Sequence, residues 1–226
     1  MEKKDDLNKE KKILSYIFPF LNNNNENNEK LKNLTNNEYK TIVSKIQDKN
    51  SDLENFLTGK ENILDSLILK YSPNLKKSEI KNLKNLTLKI PENFGMLNDI
   101  GFYLKNLIYL NLEGSFLKSI EEIGISFKNL EILIVKNCLI SDLTGIVCFV
   151  NLKEFDAGFN KIKDLFELEM CNSINILKLN DNEIENEENF EFLINLTNLK
   201  ELNIKNNLFV KYINNWKFNN DIKIDY

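Results

Sequence analysis

The sequence predicts an α/β solenoid: a parallel sheet on a concave face, short helices or turns on a convex face, and a helical cap at the N-terminal end. Three observations carry this. One hexapeptide pattern recurs: Leu107-Ile-Tyr-Leu110-Asn-Leu112, Leu130-Glu-Ile-Leu133-Ile-Val135, Leu152-Lys-Glu-Phe155-Asp-Ala157, Ile174-Asn-Ile-Leu177-Lys-Leu179 and Leu199-Lys-Glu-Leu202-Asn-Ile204, with a fainter copy at Leu83-Lys-Asn-Leu86-Thr-Leu88. Its central marker residue falls at 86, 110, 133, 155, 177 and 202, in steps of 24, 23, 22, 22 and 25. A steady period in the twenties is the mark of stacked repeats. Within each copy apolar residues alternate, which is the two-residue period of a strand.

An L-x-x-L-x-L core at this period is the leucine-rich-repeat signature, and six agreeing copies make it specific. Around it the chain divides into four parts. Residues 1–30 are charged and then Asn-rich from Asn22 to Asn28, too polar to offset their ordering entropy, so a disordered tail is expected. Within it Ile13 to Leu21 is an incidental apolar patch or a short docking helix. Residues 31–79 read as a helical N-terminal cap. Thr35-Asn-Asn-Glu38 and Ser51-Asp-Leu-Glu54 have capping-box spacing, and Ile63, Leu64, Leu67, Ile68 and Tyr71 recur at helical spacing before Pro73. A first repeat exposes an apolar end face that something must cover. An independent partner-binding bundle is the alternative for these helices. Residues 80–212 hold the repeats, the first interrupted by Pro91-Glu-Asn-Phe-Gly95, with Gly95 and Gly101 marking turns of an extended loop. Residues 213–226 form a small C-terminal cap, in which Trp216, Phe218, Ile222 and Ile224, with the preceding Tyr212, cover the other end face.

Five residues past the markers stand Ser115, Cys138, Asn160, Asn182 and Asn207. There the chain turns inward, and a buried amide can satisfy backbone groups of adjacent coils. Cys138 and Ser115 are weaker substitutes, so Cys138 reads as structural. The return segments Ser119–Ile123, Asp142–Ile146 and Asp164–Leu168 predict single helical turns, and Glu187–Leu193 a longer one.

Composition narrows the chemistry. The net charge is −4, from 30 basic and 34 acidic residues, a balance with no footprint for nucleic acid and no polybasic membrane patch. There is no His, which removes imidazole acid–base catalysis and His-containing metal sites. Cys138, Cys148 and Cys171 show no C-x-x-C spacing, and their odd number argues against a secreted disulfide framework. The sequence has no glycine-rich phosphate loop. No apolar run reaches the ~20 residues of a membrane helix, and the N-terminal region lacks a small-residue cleavage site. A cytoplasmic, non-enzymatic protein is expected, with no cofactor, no metal, no nucleic acid, no membrane and no small-molecule substrate.

If Leu110 and Leu112 point inward, the residues between them point out onto the sheet. Those rows place Tyr109, Ile132, Ile134 and Ile176 where water-facing residues are expected, with Glu154, Asp156 and Lys178 among them. Clustered exposed apolar side chains mark interfaces, and Glu154 and Asp156 would select a basic group. These seven residues are the candidate partner-binding site.

The short-helix repeats resemble the phosphatase-regulator type of leucine-rich repeat, shared with a spliceosomal subunit, a tubulin-folding cofactor and an axonemal dynein light chain. Leu112-Glu-Gly-Ser115, Ser119-Ile120-Glu-Glu-Ile-Gly124-Ile-Ser126, Asn137-Cys138-Leu-Ile-Ser-Asp142-Leu-Thr-Gly145-Ile146, Asn160-Lys-Ile162-Lys-Asp-Leu165 and Leu179-Asn-Asp-Asn182 are similar to the leucine-rich repeat-containing protein 56 family. The most specific feature is Cys138 in place of Asn. The resemblance covers about residues 83–210. It departs at Glu183-Ile184-Glu-Asn and at Asn207-Leu208, where the family has Asn-Pro. It implies a factor of the cytoplasm, cilium or flagellum that assists the assembly or transport of outer-arm dynein, with dynein or its assembly machinery as the partner. The broader repeat type implies instead a phosphatase-binding regulatory subunit or a spliceosomal adaptor.

Overall fold

Each repeat folds by one local rule: two inward apolar residues flank an outward one, and the small pleated segment that results pairs with its copy in the next coil. The computed structural model describes residues 65–92, 100–124, 126–218 and 222–226. The chain divides into two compact units, Met1–Leu67 and Ile68–Tyr226, and the sheet lies in the second. The Asn-rich tail, the Ile13 to Leu21 patch and the helices expected after Thr35 and Ser51 fall outside the described residues. Residues 65–71 are helical and end ahead of Pro73.

Six strands centre on the six markers: β1 (Asn85–Thr87), β2 (Tyr109–Asn111), β3 (Ile132–Ile134), β4 (Glu154–Asp156), β5 (Ile176–Lys178) and β6 (Glu201–Asn203). A seventh, β7 (Lys223–Asp225), follows. Among the described residues they form one parallel sheet in sequential order. The markers stand opposite one another: Leu86, Leu110, Leu133, Phe155, Leu177 and Leu202 pair in turn, and Leu202 pairs with Ile224. Each marker in β1 to β6 is at most 3% exposed.

Ile224 corrects an expectation. It occupies a seventh marker position, 22 residues past Leu202, rather than covering an end face. Ile222-Lys-Ile224 keeps the alternation that a strand needs, so pairing with β6 satisfies its backbone. The rings of Trp216 and Phe218 lie 5.8 and 5.9 Å from that of Phe190, which stacks on Phe209 at 4.5 Å.

The return segments are tight. Ile120–Ile123, Ile146–Cys148 and Phe166–Met170 are 3-10 turns, and Asn189–Ile194 is a short α-helix. Three of these are launched by an Asx turn, in which a side-chain oxygen accepts from the N–H two residues on. Asp142 Oδ1 accepts from Thr144 at 2.6 Å, Asp164 Oδ1 from Phe166 at 2.7 Å, and Asn186 Oδ1 from Glu188 at 3.0 Å. Gly101 is also corrected. It lies in the helical turn Ile100–Tyr103, not in an extended loop. A Cβ there would come within 2.6 Å of the Ser126 carbonyl carbon and 2.7 Å of the Phe127 nitrogen, so glycine permits the close approach.

The inward ladder holds the coils together. Asn160 Oδ1 accepts from the Cys138 and Ile140 N–H groups at 3.0 and 2.9 Å. Its Nδ2 donates to the carbonyls of Val135, Ala157 and Gly158 at 2.9, 3.0 and 3.2 Å. Asn182 accepts from Ile162 N–H and donates to Ala157 and Leu179. Asn207 accepts from Ile184 N–H and donates to Leu179 and Ile204. Cys138 Sγ donates to Leu112 O at 3.1 Å, and Ser115 Oγ accepts from Ile90 N–H at 2.9 Å. The thiol and hydroxyl thus fill the same place with fewer bonds.

A second ladder escaped the sequence reading. Asn129, Asn151 and Asn198, each four residues before a marker, donate to the carbonyls of Lys105, Lys128 and Asn172 in the preceding coil at 2.7 to 2.8 Å. The N-L dipeptide that opens these three repeats is the signal.

Candidate protein-binding face

Strands β2 to β5 place the seven predicted residues on one side of the sheet. Tyr109, Ile132, Glu154 and Ile176 stand side by side in one cross-strand row, and Ile134, Asp156 and Lys178 in the next. Adjacent strands are ~4.8 Å apart, so the seven make one patch four strands wide. All seven are half-buried. Side chains at this spacing shield one another's flanks, which is why none of the three isoleucines stands fully in water.

The charged part of the patch is partly self-contained. Lys178 Nζ lies 2.8 Å from Glu154 Oε1 and 3.8 Å from Asp156 Oδ2. The Glu154 hydrogen bond, joined by the charges of Glu154, Asp156 and Glu201, holds the Lys178 ammonium above its usual pKa against the opposing effect of burial. Asp156 Oδ1 also accepts from its own Gly158 N–H at 3.1 Å. Asn111 and Asn203 make the same turn with Glu113 and Lys205 N–H groups. Glu154 and Asp156 are therefore not an open pair awaiting a cation. With Lys178 they form a trio of one net negative charge beside Ile132, Ile134 and Ile176. Tyr109 Oη accepts from Asn111 Nδ2 at 3.4 Å, which orients the phenol along the face.

The thiols are withdrawn from chemistry. Cys138, Cys148 and Cys171 are buried. Burial chiefly pushes Cys138 up to about 11 and Cys148 up to about 12. A thiol held so high presents almost no thiolate near neutral pH. Among the described residues no group of three or more His, Cys, Asp or Glu is placed to hold a metal ion. No helix of the described residues is long and apolar enough to cross a membrane.

Among the exposed apolar residues that the sequence reading passed over are Leu139 and Phe159. Four residues past the marker the backbone is left-handed in every regular coil, at Gly114, Asn137, Phe159, Asp181 and Asn206. The four other occupants are residue types that tolerate this conformation. That pattern was visible in the sequence, with Phe159 as its exception.

No family model matches the chain. Over 130 residues it is 31% identical to leucine-rich repeat-containing protein 56 of Mus musculus, and likewise of Homo sapiens, covering 58% of this chain and 24% of each relative. Over this stretch the chain is similar to leucine-rich repeat-containing protein 56. A homolog of that protein in Trypanosoma brucei brucei is 28% identical over 136 residues, 58% of this chain and 18% of the relative. The chain thus spans about a quarter of the length of the mammalian relatives of leucine-rich repeat-containing protein 56 it matches. Among solved structures, the Leptospira interrogans LRR protein LIC12759 superposes with a TM-score of 0.54 at 23% identity, over 66% of this chain and 38% of that one. That likeness is one of fold, and a leucine-rich-repeat solenoid suits a protein-binding scaffold.

Proposed function

We propose that this chain is a non-catalytic protein-binding scaffold that assists assembly or transport of axonemal outer-arm dynein, acting in the cytoplasm and the cilium or flagellum. The observation that carries the binding role is the in-register patch of Tyr109, Ile132, Ile134 and Ile176 around the Lys178–Glu154 pair. Aromatic and aliphatic anchors beside one charge cluster suit a protein surface of mixed apolar and basic character. The dynein assignment is supported by the similarity of the repeats to leucine-rich repeat-containing protein 56 and by what that resemblance implies.

The test is affinity purification of the tagged chain from cells assembling flagella, followed by mass spectrometry, with the wild type beside Ile132→Asp/Ile134→Asp. Both isoleucines sit on the outward side of β3, so the double variant should keep its fold, at an unfolding temperature lowered by the lost flank packing and by the new carboxylates facing Glu154 and Asp156. Outer-arm dynein heavy and intermediate chains should accompany the wild type and be lost from the variant. A phosphatase catalytic subunit or splicing proteins without dynein would move the assignment to a regulatory subunit or a spliceosomal adaptor. Equal recovery by both proteins would remove the concave patch from the reading.

A further inference from the structure

Phe159 stands where the fold least favours it. Its φ is 57°, in the left-handed region that crowds the Cβ of an L-residue and is a genuine outlier for a bulky side chain. The equivalent positions hold Gly114, Asn137, Asp181 and Asn206. Strain of this kind is ordinarily offset by packing, yet Phe159 is 47% exposed. What it meets is a cation: Lys136 Nζ lies 5.0 Å from the ring centroid.

The neighbouring coil repeats the anomaly. Leu139 has φ 67° and is 42% exposed. It lies between two N–H groups that share one acceptor. The N–H groups of Cys138 and Ile140 converge on the one oxygen of Asn160, and the residue between them turns outward. Segments 137–140 and 158–161 run side by side, since Asn137 N–H donates to Gly158 O and Lys161 N–H to Ile140 O. Two strained, solvent-facing apolar residues therefore share one rim of the solenoid, where the strands leave the concave sheet.

The charge around them has a sign. The nearby carboxylates are engaged: Asp181 accepts from the Asn180 and Asn206 amides at 2.8 Å each, and Glu183 lies 3.5 Å from Lys163. Lys136 makes only a 4.0 Å contact with Glu113, and the exposed Lys161 has no ion-pair partner among the described residues. The rim offers two apolar contacts framed by two cations.

We propose that Phe159 and Leu139, with Lys136 and Lys161, form a second docking surface for a protein segment in which an aliphatic or aromatic side chain is flanked by carboxylates. The segment's apolar side chain packs on the Phe159 ring, and its carboxylates meet the two ammonium groups. The surface lies at the rim and does not depend on the concave patch.

The test uses the full chain and a random twelve-residue peptide display library. Peptides enriched on the wild type should carry an apolar centre with flanking Asp or Glu. Their affinity should fall about tenfold or more for Phe159→Asn, and fall for the pair Lys136→Ala/Lys161→Ala. It should hold for Ile132→Asp/Ile134→Asp, which separates this surface from the concave one. Because two other coils place asparagine here, Asn137 and Asn206, Phe159→Asn should unfold at an equal or higher temperature while binding is lost. A lower unfolding temperature would show the ring to be structural and overturn the proposal. So would enrichment of basic peptides, no enrichment over uncoated beads, equal binding to Phe159→Asn, or loss of binding in the concave variant.

Discussion

Replacing Asn160 by alanine should unfasten the middle of the solenoid. The side chain is 8% exposed and makes five hydrogen bonds to backbone groups of two coils. The losses are unequal. Ala157 O keeps a partner in the Asn182 amide, and Gly158 O keeps the Asn137 N–H. The Cys138 and Ile140 N–H groups lose the acceptor they share, in a buried place. An orphaned buried donor costs ~1–3 kcal/mol and an ordinary lost bond ~1 kcal/mol, so the substitution should cost about 3–4 kcal/mol. With an m-value of about 2 kcal/mol/M, the urea midpoint should drop by roughly 1.5–2 M. Urea titration followed by far-UV circular dichroism gives this directly. Cys138→Ala is the control. Its thiol supplies one weak donor, shared between the Leu112 and Lys136 carbonyls, and its removal should cost about half as much. If Asn160→Ala lowers stability by no more than Cys138→Ala, the ladder is not what joins the coils and the reasoning fails.

Other consequences can be checked by the same means. The raised thiols set a pH window. Cys138 and Cys148 ionise at the ordinary 9.0 when unfolded but near 11 and 12 when folded. Between those values the native state holds more protons, so stability is full below pH 9 and falls as pH rises towards 11–12, as thermal melts from pH 8 to 11 would show. Both thiols should resist a disulfide reagent at pH 8 until denaturant is added. Gly101→Ala, whose new Cβ would strike backbone at 2.6 Å, should destabilise far more than Gly158→Ala, which meets the Asn180 side-chain oxygen at 2.8 Å; unfolding midpoints of the pair would rank them. Lys178→Ala should cost less than about 1 kcal/mol, since the Lys178–Glu154 pair is partly exposed and solvent-screened, and a larger loss in urea titration would mark it as a structural bridge.

Much of this fold was written in the sequence because its rule is local. Every marker from Leu86 to Leu202 centres a strand, since each copy needs only an alternating tripeptide and a neighbour to pair with. β7 was harder to see, because Ile222-Lys-Ile224 keeps the alternation but lacks the leucines that identify the motif. The seven residues of the concave patch were found for the same reason that the strands were: alternation dictates which side chains face out. Their electrostatics were not legible. That Lys178 bonds Glu154, or that Asp156 closes its own turn onto Gly158, depends on distances between coils. Phe159 was overlooked because hydrophobic patterning asks whether a residue is apolar, whereas its peculiarity lies in the backbone angle its position imposes.

The uneven ladder has a consequence in time. Asn160, Asn182 and Asn207 clasp the later coils with full amides, while Ser115 and Cys138 hold the earlier ones with a hydroxyl and a thiol. In a stack whose units touch only their neighbours, opening starts where the clasp is weakest. The molecule should accordingly have a slow end and a fast end: since Asn160 already clasps coil 133 to coil 155, amides of coils 86 and 110 should exchange with solvent ahead of those from 133 onward.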